Sequence, residues 1–160
     1  MSREAIPTWF FAVVVVRKGD KFLLVHECKH EQHWYLPAGR VEPRETFLQA
    51  ALRETLEETS VPVTIEGILK IQHTPMFDGT TRVRVFMIAR PQDNTPPKNI
   101  PDEESLEAAW MTLEEMQQIP LRGEEVLQIC ELVASGAPIY PVDLITSEAP
   151  LYFGSLPTKT

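Results

Sequence analysis

Glu54, Glu57 and Glu58 stand in the segment RETLEET at positions i, i+3 and i+4. On a helix, side chains so spaced share one face. Three like charges on one face repel and weaken the helix unless something positive sits between them. A divalent cation is the economical partner, because hard cations take carboxylate oxygens as ligands. The trio belongs to a dense charged stretch, residues 39–61, which also holds Glu42, Glu45, Arg40, Arg44 and Arg53. Ala38 and Gly39 lie at its head, and residues that small let a backbone come close to a ligand. The acidic balance of the chain does not exclude a small phosphorylated substrate, because bound cations reverse the local sign.

The helix that presents the trio is expected to begin near Thr46, a suitable N-cap, after a turn at Pro43-Arg44. Leu48, Leu52 and Leu56 recur at helical spacing with Thr55 beside them, and this stripe reads as the core face. The glutamates then lie on the other side, flanked by Ala50 and Ala51. Upstream, residues 9–17 are aromatic and β-branched and read as a buried strand. Lys18-Gly19-Asp20 signals a tight turn into a second strand at 21–26, which predicts a hairpin. A polar loop follows at 27–33. His26, Cys28, His30 and His33 crowd there, but their spacing fits no common zinc signature, and the loop reads as solvated. Residues 34–37 form a short strand that Pro37 stops.

Downstream, 61–72 reads as one or two strands and Asp78-Gly79 as a turn. Residues 82–89 read as a strand with Arg82 and Arg84 on one face and Val83, Val85 and Met87 on the other. Those arginines suit phosphate and plain solvation equally. The four prolines of 91–104 mark an extended loop, 108–111 a closing strand and 113–119 a short helix. Residues 124–135 read as an amphipathic helix through Val126, Leu127, Ile129, Cys130 and Val133. A core is expected over about 9–136, with a proline-rich tail at 137–160 running over the surface, all in one domain of 1–160.

The order of the charged residues resembles the Nudix hydrolase family. Its signature runs glycine, five residues, glutamate, seven residues, arginine-glutamate, an aliphatic, any residue, glutamate-glutamate, any residue, glycine, an aliphatic. Gly39, Glu45, Arg53, Glu54, Glu57, Glu58 and Val61 stand at that spacing. Thr55 replaces the first aliphatic and can still turn its methyl to the core. Ser60 replaces the second glycine, where a left-handed backbone would cost serine about 1 kcal/mol. That departure bears on loop geometry, not on the chemistry.

The resemblance implies an α+β fold: a mixed β-sheet between helices, an α/β/α sandwich, with the signature as a loop-helix-loop. It also implies an enzyme that hydrolyses a diphosphate linkage, with Mg²⁺ or Mn²⁺ as cofactor. A pyrophosphate repels an incoming oxygen nucleophile, and metal ions neutralise its charge, orient the phosphates and acidify water. In this reading Glu57 and Glu58 are the principal metal ligands and the carbonyl of Ala38 completes the set. Glu54 binds metal too or acts as the base. Arg53 and Glu45 hold the glutamates by charge-assisted hydrogen bonds. A further acid often comes from a late loop, and Glu104, ahead of Trp110, is the candidate. Arg82 and Arg84 are candidates for substrate phosphates, and Trp34, Phe77, Phe86 and Trp110 for stacking on a base.

Three flanking segments, WYLPAGRVEP, ESLEAAW and LRGEEVLQICELVASG, are similar to Nudix phosphatases of nucleoside di- and triphosphates. The partner this implies is a small phosphorylated molecule, a nucleotide, with an oxidised purine nucleotide among the candidates. Two alternatives stand beside it. One is another pyrophosphate, such as a nucleotide sugar or a thiamin-precursor pyrophosphate. The other is a non-catalytic Nudix domain that senses a ligand, although such domains usually lose the glutamates kept here.

Composition bounds these readings. A net charge of -8 over 160 residues argues against a nucleic-acid polymer, whose partners present basic stripes. The apolar run at 9–16 is too short to span a bilayer and has no small-residue cleavage site behind it. Two distant cysteines, Cys28 and Cys130, suit a reducing compartment. A cytoplasmic protein is expected, and a homodimer is left open.

Overall fold

The computed structural model describes residues 3–148. The end of the proline-rich tail therefore lies outside the described residues. The apolar run at the head of the chain becomes β1 (Thr8–Lys18), and its middle, 12–16, has essentially no exposed surface. A strand covered on both faces suits a parallel neighbour. β1 pairs in parallel with β6 (Thr81–Pro91), from Thr8↔Thr81 to Val16↔Ala89. β5 (Val63–Pro75) is one strand with two irregularities, and it joins β6 as an antiparallel hairpin.

β2 (Lys21–Glu27) pairs with β1 only through Arg17↔Phe22 and Lys18↔Lys21, next to the turn. Beyond that the expected hairpin splays open. β4 (Ala38–Arg40), a strand too short to read in the sequence, takes the edge of β1 that a full hairpin would have used, with Ala12 opposite Gly39. β2 instead carries β3 (Trp34–Tyr35) on one side and β7 (Ser105–Thr112) on the other. The result is a seven-stranded mixed sheet in the order β3-β2-β1-β6-β5, with β4 on β1 and β7 on β2.

Alternation along β1 sends Val13 and Val15 to one layer and Ala12, Val14 and Val16 to the other. The first layer is closed by α3 (Glu125–Ala134), through Val126, Ile129, Cys130 and Val133, and by Met116 of α2 (Leu113–Met116). The second is closed by α1 (Phe47–Thr59), through Ala50 and Ala51. This is the α+β sandwich that the sequence implied, with helices on both faces of a mixed sheet.

The orientation of α1 differs from the reading of its leucines. Leu48, Leu52 and Leu56 are 36%, 38% and 52% exposed, whereas Ala50, Ala51, Thr55 and Thr59 have no exposed surface. The helix turns its small row inward, so its backbone comes close to the sheet. The row Ala50, Glu54, Glu58 is carried with it to the sheet margin, and the leucines face outward. Thr55 can be buried because its hydroxyl donates to the Ala51 carbonyl at 2.7 Å.

Candidate active site

The sequence fixes both ends of α1. Thr46 and Gln49 form a reciprocal capping box at its N-terminus, with the Gln49 amide on Thr46 Oγ1 at 3.1 Å and the Thr46 amide on Gln49 Oε1 at 2.9 Å. At the other end Ser60 adopts the left-handed conformation, φ 62°, that a glycine would take freely. The helix is thus held against β4, where the sheet backbone and the glutamates meet.

Gly39 is what makes that approach feasible. A Cβ added to it would lie 1.9 Å from the carboxyl carbon of Glu54. One residue earlier, the Ala38 amide donates to Glu58 Oε2 at 3.0 Å. Arg53 organises the remaining acids. Its Nε and Nη2 fork onto the two oxygens of Glu45 at 2.7 and 2.8 Å. Its Nη1 donates to Glu54 Oε1 at 2.7 Å and Glu57 Oε2 at 3.1 Å, and Nη2 also reaches the Arg40 carbonyl at 3.1 Å. Bidentate charge-assisted bonds of this kind fix orientation as well as adding energy.

These contacts set the electrostatics. The hydrogen bond from Arg53 holds the Glu45 carboxyl below its ordinary range, and the same bond pushes Arg53 up. Burial pushes Glu54 up, and the bond from Arg53 offsets only part of that. Burial pushes Glu58 well up, more than the Ala38 amide restores, with the charges of Glu54, Glu27 and Glu104 adding to the rise. A carboxylate kept this dry among other acids is stabilised by a cation.

The donor set fits a hard divalent cation: carboxylates of Glu54, Glu57 and Glu58 and the carbonyl of Ala38, all oxygen. Among the described residues, no three acids converge as a ready-made cage. The reason is visible in the contacts, since Arg53 holds Glu54 and Glu57 while Glu58 turns to the Ala38 amide. Holding a cation needs side-chain rotation at Glu57 and Glu58, with Glu54 Oε2 and the backbone already in position.

Beside this corner opens a cavity of about 420 Å³, lined in part by Ala38, Gly39, Glu58, Arg82, Arg84 and Glu104. The two arginines of β6 part company here. Arg84 donates to Tyr35 Oη at 3.2 Å, to both Glu125 oxygens at 3.0 and 2.7 Å, and twice to Gln72 Oε1. All five of its N–H groups are thereby taken, so it builds the wall and has no donor left for a phosphate. Burial pushes the Glu125 carboxyl up, but the bond and charge of Arg84 outweigh it and leave the group below its ordinary range. Arg82 Nε, by contrast, is buried with no partner among the described residues.

The aromatic candidates lie elsewhere. Trp34 is 7% exposed and stacks on His26, with ring centroids 4.6 Å apart. Phe86 is fully buried in the α3 layer, beneath Lys70 and Arg84. Neither lines the cavity, because both are needed to fill the core. Phe77 is fully exposed at the β5–β6 turn, and Trp110 packs at the α1 layer near Lys18. Other residues on the cavity wall were not singled out from the sequence: Tyr35, Glu27 and Arg122. Arg122 donates to Glu27 at 2.9 Å and lies over the Tyr35 ring at 4.9 Å. These come from segments far apart in the chain, and nothing local signals their meeting.

Seen with the fold, the glutamate helix against a glycine strand defines a class. Residues 8–129 match the NUDIX domain, and the chain belongs to that family. Its members generally use a divalent metal. Among similar proteins, human 8-oxo-dGDP phosphatase NUDT18 is 36% identical over 124 residues, covering 76% of this chain and 37% of that protein. Phosphatase NudJ of Escherichia coli O1:K1 is 30% identical over 133 residues, 82% of this chain and 86% of NudJ. A solved NUDIX hydrolase from Nitrosomonas europaea superposes with a TM-score of 0.74 at 29% identity, covering 88% of this chain and 97% of that one. The chain thus spans 37% of the length of the first curated relatives it matches. Among the described residues, no helix is long and apolar enough to cross a membrane.

Proposed function

We propose that this chain is a Mg²⁺-dependent phosphohydrolase that cleaves a phosphoanhydride bond of a nucleoside di- or triphosphate, an oxidised purine nucleotide among its substrates. One observation carries the reading. The Glu54 and Glu58 carboxylates are packed against the Ala38–Gly39 backbone at the edge of a cavity whose wall holds Arg82, its Nε without a partner among the described residues. The names of the human and bacterial relatives support phosphatase chemistry on such molecules.

In this proposal Glu57, Glu58 and Glu54 supply the carboxylate ligands for Mg²⁺, with the Ala38 carbonyl. The metal supplies charge neutralisation and a more acidic water when bound. Arg53, braced by Glu45, keeps Glu54 and Glu57 in register before substrate arrives. Glu54, raised by burial, is suited to accept a proton from water. Arg82 offers its donors to substrate oxygens. Glu104, from the loop ahead of β7, faces the same cavity and adds a further acid near the reacting group.

The test is a panel of nucleoside di- and triphosphates, including 8-oxoguanine nucleotides, assayed with Mg²⁺ and read by product identity. A nucleoside monophosphate with inorganic phosphate or pyrophosphate is expected, lost with Glu57→Gln. Silence across the panel would overturn the proposal. Two monophosphates from a nucleotide sugar, with no turnover of simple nucleotides, would replace it by hydrolysis of another pyrophosphate.

A further inference from the structure

The last carbonyls of a helix have no partners within it. In α1 these belong to Leu56, Glu57, Glu58 and Thr59, the turn that carries two of the proposed metal ligands. Ser60 N–H takes the first, at 2.9 Å. The other three are taken by the loop between β6 and β7 and by the first residue of β7. The Lys98 ammonium donates to the Glu57 carbonyl. The Ser105 hydroxyl donates to the Glu58 carbonyl at 2.6 Å. The Lys98 amide donates to the Thr59 carbonyl at 2.8 Å.

Lys98 is itself fixed at both ends. Its side chain is only 8% exposed, and its ammonium bonds Asp102 Oδ2 at 2.6 Å. Its carbonyl accepts from the Ala108 amide of β7 at 2.8 Å. Asp102 uses its other oxygen to receive the amides of Glu104 and Ser105, at 2.9 and 3.1 Å. A continuous set of bonds therefore runs from the backbone of Glu57 and Glu58, through Lys98 and Asp102, to the backbone of Glu104. A buried ammonium at a helix C-terminus also faces the negative end of the helix dipole.

We infer that Lys98 and Ser105 are positioning residues, a clamp that fixes the helix turn bearing Glu57 and Glu58 and ties the loop of Glu104 to it. This rests on the metal-site reading above. Neither residue lines the cavity; both reach Glu57 and Glu58 through the backbone. Supports of this kind typically tune metal affinity by about 10- to 100-fold.

The experiment follows Mn²⁺ binding to the apoprotein alone, by the electron paramagnetic resonance of free Mn²⁺. Lys98→Met is expected to weaken binding by about 10-fold or more, and Ser105→Ala, which removes one hydroxyl and little packing, by about 3- to 10-fold. Lys98→Arg, which keeps a cationic donor, should recover part of the loss. In turnover the deficit should shrink at high metal concentration. Val133→Ala, in the core layer on the opposite face of the sheet from α1, controls for stability alone; it should lower the unfolding temperature and leave Mn²⁺ affinity unchanged. If Glu57→Gln binds Mn²⁺ like the unmodified chain, the metal-site reading itself fails. If Glu57→Gln loses Mn²⁺ while Lys98→Met and Ser105→Ala keep full affinity, the site stands and the clamp is overturned.

Discussion

Replacing Gly39 by alanine tests the geometry of the site with one methyl group. The added Cβ would lie 1.9 Å from the Glu54 carboxyl carbon and 2.1 Å from its Oε1. Ordinary contact begins near 3.4 Å, so the carboxyl has to retreat by about 1.5 Å. β4 is held meanwhile by its pairing with the buried β1, Gly39 lying opposite Ala12. Displacing a reacting group by about 1 Å costs on the order of 100-fold in rate, or about 2.7 kcal/mol of barrier. The retreat also strains the 2.7 Å bond from Arg53, whose loss costs about 1–2 kcal/mol between two largely buried groups. For a chain of this size that lowers the unfolding temperature by only about 3–8 °C. Gly39→Ala should therefore remain folded, with kcat reduced about 100-fold in a steady-state assay run well below the unfolding midpoint. A folded variant with kcat within about threefold of the parent would refute the close packing of Glu54 on Gly39 as a catalytic requirement.

Other consequences are equally direct. Arg84→Met should destabilise the fold by about 2 kcal/mol in denaturant unfolding, because Glu125 and Tyr35 lose their partner. Arg82→Met should leave stability nearly unchanged and raise KM by about 10-fold, since its Nε has no partner to lose. On α1, Leu52→Lys should shift stability by no more than about 0.5 kcal/mol, whereas Ala51→Leu should cost about 1–3 kcal/mol by overpacking; the opposite ranking would restore the leucines to the core. Burial pushes the Cys130 thiol up to about 12. A thiol reagent should therefore label the partly exposed Cys28 in the folded chain and Cys130 only on unfolding. The sign for stability follows. Above the ordinary thiol value of 9.0 the unfolded chain loses a proton that the folded one keeps, so Cys130 lowers stability as pH rises from there.

What the sequence disclosed and what it hid divide along physical lines. The glutamate spacing was legible because i, i+4 neighbours are set by local helix geometry alone. The same periodicity could not say which row faces the sheet. Leu48, Leu52 and Leu56 form a better apolar stripe than Ala51, Thr55 and Thr59, yet the small row is buried because Glu54 has to reach Gly39. The parallel pairing of β1 and β6 was foreshadowed only by the unbroken apolar run of β1, and β4, with three residues, was too short to carry a pattern. Arg82 and Arg84 looked alike in sequence. They are distinguished by Gln72, Tyr35 and Glu125, which come from three other segments. Lys98 sits in a proline-rich loop with no periodicity, so its place under the turn of Glu57 and Glu58 emerges only from the folded chain.

The most direct test of the metal site is a crystal of this protein soaked in Mn²⁺ and measured for anomalous scattering. The proposed site requires an anomalous peak among the carboxylates of Glu54, Glu57 and Glu58 and the carbonyl of Ala38, with Arg53 swung away from Glu57. A peak among His26, Cys28, His30 and His33 instead, or strong binding that leaves Glu57 on Arg53, would contradict it.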